Sequence, residues 1–212
     1  MNVDAKIGSL RERKKAQTRD KLVSVAYRLF AQQGFEATTL EQIADEAEVS
    51  TRTLLRYFDS KVQLALAWYQ ARLSRFQAVV GDSRRQRDAV SCWRAHVEET
   101  SRAISDAREY ALHLKFVHKV PALIAGMIEM NWGFEGTLAA GLASDAGVDP
   151  RNDLYGRLLA SMLVAGQSAA IRHWIVGGCR DDLTKTCLAV VDFALNHFPA
   201  RSALGGEHLA PR

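Results

Sequence analysis

Ser50, Thr51, Thr53 and Tyr57 place four hydroxyls, and Arg52 and Arg56 two guanidinia, within eight consecutive residues. Such groups donate to phosphate oxygens and grip base edges, and an arginine reads guanine through two parallel hydrogen bonds. That chemistry is recognition. Candidates for bond-making fall short of it. Cys92 and His96 share a helix face at i, i+4, as a nucleophile and its base should, but no third group orients the base. Among six histidines, His113 and His118 lie five apart and no carboxylate–histidine spacing repeats, so no metal site is expected. No glycine-rich phosphate loop follows a strand, because no strand is predicted. We expect no catalytic residues, no cofactor and no enzyme activity.

The recognition residues need a frame, and residues 38 to 61 supply one. Thr39 reads as an N-cap, and Gln42 three residues later completes the capping-box spacing. The helix they start buries Leu40, Ile43, Ala44 and Ala47 at intervals of three and four. Glu48-Val49 makes a turn, Ser50 caps a second helix over 51 to 58, and Ser60 with Gln63 repeats the box ahead of a third. Two short helices across a tight turn form a helix-turn-helix. The second helix of that motif enters the major groove with its first residues against the bases, which makes Thr51 and Arg52 the base readers. Leu55 is free to meet a thymine methyl, and Lys61 sits at a helix N-terminus, a natural anion site. Leu54 and Phe58 face the core. Ahead of the motif, a helix from Lys15 to Gln33 buries Leu22, Val25, Ala26, Leu29 and Phe30. Gly34 closes it, and Phe35 folds back onto the core.

With 212 residues and 48% hydrophobic content, the chain has material for one or two cores. Helical spacing appears almost everywhere, so the expected fold is all-α: a three-helix head followed by a helical bundle, about nine helices in all. The net charge of +4 is modest but uneven. In the first 21 residues, Lys6, Arg11, Arg13, Lys14, Lys15, Arg19 and Lys21 face Asp4, Glu12 and Asp20. A basic arm beside the motif points to phosphate contacts, Arg13 to Arg19 above all. Cys92, Cys179 and Cys187 have no CxxC spacing and read as reduced thiols. The polar N-terminus lacks a signal-peptide core, and no apolar run reaches the ~18 residues that span a bilayer. A cytoplasmic protein without a membrane partner is expected.

The division we expect is a flexible arm at 1–14, the DNA-binding head at 15–61, a ligand and dimerisation domain at 62–199 and a disordered tail at 200–212. A helix from Lys61 to about Val80 would join head to bundle and act as a lever. Further helices are predicted at 86–104, about 106–117 and 121–144. Asp149 then caps, and Pro150 starts, a helix to Val176, and the last one runs to Phe198. Trp68, Phe76, Trp93, Phe116, Met127, Met130 and Phe134 are more bulky residues than a simple support needs, and they are the candidate lining of an apolar pocket. The candidate dimer face uses Leu158, Met162, Ala165 and Ala169 on one helix, with Cys187, Val191, Ala194 and Phe198 on the last.

Residues 16 to 66 resemble the DNA-binding domain of the TetR (tetracycline-repressor-like) family. The resemblance lies in Ala26, Leu29-Phe30, Gly34-Phe35, Thr38-Thr39, Ile43-Ala44, Ala47, Val49-Ser50, Thr53-Leu54, Tyr57-Phe58, Ser60-Lys61 and Leu64, taken in order. Glu48 departs from the family's turn glycine, Leu55 from a DNA-facing tyrosine and Asp59 from a common proline. Carried onto matching positions, the resemblance puts Thr39, Thr53, Tyr57 and Lys61 on phosphates and Arg56 on a phosphate or a base. It implies a homodimer on a palindromic double-stranded DNA operator, released by a hydrophobic small-molecule inducer. The stretch from Glu109 to Ile175 resembles the subset that binds acyl-CoA-like ligands. Two other expectations stand beside this one: a helix-turn-helix regulator whose C-terminal half answers a protein partner or only dimerises, and a helical enzyme with a vestigial head.

Overall fold

The computed structural model describes residues 3–106, 117, 119–198 and 201, which contain nine α-helices and no strand. Of these, the residues within Met1–Trp68 and Leu112–Gly126 form one compact unit, and those within Tyr69–Ala111 and Met127–Arg212 form another.

The first unit is built on α1 (Val3–Gln33), α2 (Leu40–Glu46), α3 (Thr51–Leu55) and α4 (Lys61–Ala65). In place of the flexible arm expected at 1–14, α1 already starts at Val3. Residues 10 to 17 are leucine, arginine, glutamate, lysine, alanine and glutamine, all strong helix formers, so nothing halts the helix before Lys15. Its far end follows the expectation: Gly34 takes φ +87°, and Phe35 turns back with its ring centroid 5.3 Å from that of Phe30. Leu22, Ala26, Phe30, Ile43, Ala44, Leu54, Phe58 and Leu64 close the core.

The helix expected from Lys61 to Val80 is broken. α4 stops at Ala65, Leu66 takes φ −96° and ψ 2°, and α5 (Ala67–Gly81) begins afresh. The cause is a side chain from α1. The Tyr27 hydroxyl donates to the Ala65 carbonyl at 3.0 Å and accepts from the Trp68 N–H at 3.2 Å, which interrupts the backbone ladder. The boundary between the units falls just after, at Trp68.

The second unit holds the rest of α5, α6 (Ala89–Asp106), α7 (Pro121–Ala146) from Met127 onward, α8 (Leu154–Val176) and α9 (Leu183–His197). Helix α9 packs on both α8 and α6. A Cβ at Gly166 would stand 2.6 Å from Val190 Cγ1, so the glycine allows α8 and α9 to approach closely. Helix α8 starts later than expected. Asp149 to Asn152 form a turn closed by the Asn152 N–H on the Asp149 carbonyl at 3.0 Å, and Asp153 is the cap, accepting from the Gly156 N–H at 3.0 Å. Gly177 ends α8 and Asp182 caps α9. The helix expected over 106–117 lies largely outside the described residues, as does most of the 200–212 tail. Arg201 of that tail is held, with Nη1 2.5 Å from Asp153 Oδ1 and its guanidinium over the Tyr155 ring.

Candidate nucleic-acid interface

Thr39 caps α2 as expected. Its Oγ1 accepts the Gln42 N–H at 3.2 Å, while Gln42 Oε1 accepts the Thr39 N–H at 2.9 Å. The Thr39 hydroxyl proton is then left to donate outward. In the turn, Glu48 adopts φ +58°, the strained position its replacement of glycine implies. Its carboxylate pairs with Lys21 of α1, whose hydrogen bond and charge hold the carboxyl below its ordinary range.

At the start of α3, Ser50 Oγ accepts the Thr53 N–H at 3.1 Å and bonds Thr53 Oγ1 at 2.8 Å. One proton serves that hydroxyl pair, so the other remains for a phosphate. The helix is shorter than the predicted 51–58. It ends at Leu55, Arg56 is its C-cap, and the Tyr57 and Phe58 N–H groups both return to the Leu54 carbonyl, at 2.8 and 3.1 Å. Leu54 and Phe58 are buried, as the spacing requires. Arg52, Leu55 and Arg56 are exposed at i, i+3 and i+4, one face of one turn, and Thr51, Thr53 and Tyr57 are half-buried beside them. Arg19 of the basic segment comes to the same unit, its guanidinium 5.1 Å from the centroid of the Phe58 ring.

Lys61 also has partners within the head. Its ammonium donates to the carbonyls of Phe35, Thr38 and Glu36 at 2.7, 2.9 and 3.3 Å, and lies 4.4 Å from the Phe35 ring centroid. Three protons meet three carbonyls. The carbonyls of the connection after α1 come to Lys61 because the chain folds back at Gly34.

Phe76, Trp93 and Phe134 are buried, and their ring centroids lie 5.4 to 6.0 Å apart, with His96 among them. His96 stacks on Trp93, takes a hydrogen bond from Arg72 at 3.1 Å, and is driven to a pKa of about 3 by burial and by the nearby Arg72 and Arg75. These rings pack against one another. Trp68 belongs to the other unit, Met127 and Met130 are half-buried, and Phe116 lies outside the described residues. A cleft of ≈770 Å³ lies elsewhere in the second unit, among Gln77, Arg85, Arg87, Thr137 and Ser144.

The expected dimer face divides. Leu158, Met162, Ala165 and Ala169 are exposed along α8, and Leu154 extends that stripe. Cys187, Val191 and Ala194 are buried within their own subunit against neighbouring helices, and burial pushes the Cys187 thiol up to about 11. Phe198 packs on Tyr155, their centroids 5.1 Å apart. The free side of α9 carries Phe193 instead, 62% exposed, on a second apolar stripe offset from the one the spacing favoured.

Residues 22–68 match the profile described as "Bacterial regulatory proteins, tetR family", and residues 87–197 match "MftR C-terminal domain". The HTH-type transcriptional regulator TcmR of Streptomyces glaucescens is 34% identical over 174 residues, covering 78% of this chain and 76% of its own. The chain belongs to the tetR family. It is therefore a transcription regulator of the helix-turn-helix, DNA-binding type, and the first profile ends at Trp68, where the first compact unit gives way to the second. Two solved structures share the fold. FadR of Thermus thermophilus in complex with lauroyl-CoA has a TM-score of 0.61 at 19% identity, covering 92% of this chain and 98% of that one. The complex with triclosan of SmeT, the repressor of a Stenotrophomonas maltophilia efflux pump, has a TM-score of 0.63 at 18% identity, covering 85% and 90%. Among the described residues, no helix is long and apolar enough to cross a membrane.

Proposed function

We propose that this tetR-family regulator is a dimeric repressor that binds a palindromic operator and leaves it when an apolar ligand enters the C-terminal domain. The observation that carries the reading is the exposed face of α3, where Arg52, Leu55 and Arg56 stand together above hydroxyls that retain a free proton. One head covers too few base pairs for useful specificity, so two heads about one helical turn apart are required. The exposed stripe of α8 and Phe193 of α9 supply the second-copy contact. Helix α5 runs from the head unit into the ligand-binding unit, which suits a lever, and the family neighbours' complexes with lauroyl-CoA and triclosan support an apolar inducer. A ligand releases DNA only as far as it prefers the non-binding state, so full release needs several kcal/mol of preference.

The mutual packing of Phe76, Trp93 and Phe134 favours a second reading, in which the C-terminal half dimerises or meets a protein partner and has no apolar inducer. Fluorescence anisotropy of DNA taken from upstream of the protein's own gene separates the two. Salt-sensitive, saturable binding that lauroyl-CoA or triclosan reverses supports the ligand-released repressor. Binding that a wide panel of apolar ligands leaves untouched supports the second reading.

A further inference from the structure

We propose that Arg201 is a positioning residue for association with a second copy, latching the open end of the α8–α9 pair. The proposal rests on the reading of the exposed α8 stripe and Phe193 as the second-copy contact. Residues 177–182 join the two helices at one end, where α8 finishes and α9 begins. At the other end, the first turns of α8 carry Leu154 and Leu158, and the last turns of α9 carry Phe193. No connecting loop holds that end.

Side chains hold it instead. Phe198, the C-cap of α9, meets the Tyr155 ring edge-on with centroids 5.1 Å apart, and the Arg201 guanidinium lies over the same ring at 4.5 Å. Arg201 Nη1 reaches Asp153 Oδ1 at 2.5 Å, and that oxygen also accepts the Gly156 N–H that starts α8. Asp153 is buried, and its Oδ2 has no partner among the described residues. A Cβ on Gly156 would stand 2.3 Å from Oδ2, so only glycine leaves room for the carboxylate to tuck in. The charge is thus packed into the helix end, with Arg201 as its one ion-pair partner among the described residues. A helix N-terminus favours a negative charge, but a buried carboxylate stripped of its cation is costly. Without Arg201, Asp153 gains by turning out to water, which takes the cap from Gly156 and lets the first turn fray. Leu154 follows the cap directly and loses its place first, so the two stripes no longer present one surface.

The test uses the full-length protein. Sedimentation equilibrium gives the dimer dissociation constant of the wild type, Arg201→Ala, Asp153→Asn and the double variant. Asparagine keeps the capping oxygen but carries no charge that needs a cation. Arg201→Ala is expected to weaken the dimer about tenfold. In the Asp153→Asn background the same change should cost about twofold or less. Hydrogen exchange, at a concentration that keeps both proteins dimeric, should be faster at the amides of 156–158 in Arg201→Ala and unchanged at those of 170–174. A dimer that Arg201→Ala leaves at wild-type strength overturns the proposal. Equal costs in the two backgrounds, or faster exchange along the whole of α8, reduce Arg201 to an ordinary stabilising contact and overturn it as well. Should Asp153→Asn fail to fold, the exchange pattern of Arg201→Ala decides. A wild type that stays monomeric at every concentration ends the second-copy reading itself and takes the proposal with it.

Discussion

Arg52 is the side chain on which base preference should turn, because it is exposed at the second position of α3. Arg52→Ala is expected to cost about 1–3 kcal/mol and to relax preference at one position in each half-site. Affinities for a set of single-base operator variants check this, and an equal loss on every sequence would return Arg52 to the phosphates. His96 makes a prediction of a different kind. Its folded pKa of about 3 lies below the ordinary 6.5, so the folded protein keeps the imidazole neutral. Below pH 6.5 the unfolded chain takes a proton that the folded one refuses. The stability is thus fully present above 6.5 and declines, by up to about 1.4 kcal/mol per pH unit, until the pH falls through about 3. Urea unfolding at pH 7 and pH 5 should show a steeper loss for the wild type than for His96→Gln, and parallel losses would contradict the burial argument.

At the scale of elements, the break between α4 and α5 hangs on one hydroxyl. Tyr27→Phe removes the group that serves both the Ala65 carbonyl and the Trp68 N–H, and should destabilise the protein by about 1–3 kcal/mol. Denaturant titration measures that loss, and an unchanged midpoint would mean the ladder heals across Leu66. No signal in residues 61–80 foretells the break, since neither proline nor glycine interrupts them before Gly81. The caps tell the opposite story. Thr39 with Gln42, Ser50 and Ser60 all cap as their spacing says, because a cap is a contact between residues three apart and needs no tertiary partner. Asp149-Pro150 misled for a related reason: two local solutions were open, and the chain uses that pair for a turn and Asp153 for the cap.

For the molecule as a whole, the two stripes of α9 have separate fates. Val191 lies in the core and Phe193 is free. Met162→Lys or Phe193→Lys should split the dimer with little change in thermal stability of the monomer, and operator affinity should fall with it. Val191→Ala should instead cost about 1.5–3 kcal/mol of stability and leave the association intact. Sedimentation velocity beside thermal unfolding reads both. A dimer indifferent to the lysines would move the interface off these helices.

The all-α class, the capped helix-turn-helix and the face of α3 were legible in the sequence, because periodicity, capping and a short motif are local. Glu48 belongs with them, since the turn that joins α2 to α3 demands a left-handed residue whatever occupies it. The partner of Lys61, the hydroxyl that breaks α4 from α5, the choice of which α9 stripe is core and the closing of the aromatic residues on one another were not. Each depends on a residue distant in sequence arriving in contact: Phe35 at Lys61, Tyr27 at Ala65, α6 and α8 against Val191, Phe134 against Phe76. Spacing states which residues share a face of one helix. Only packing decides what that face meets.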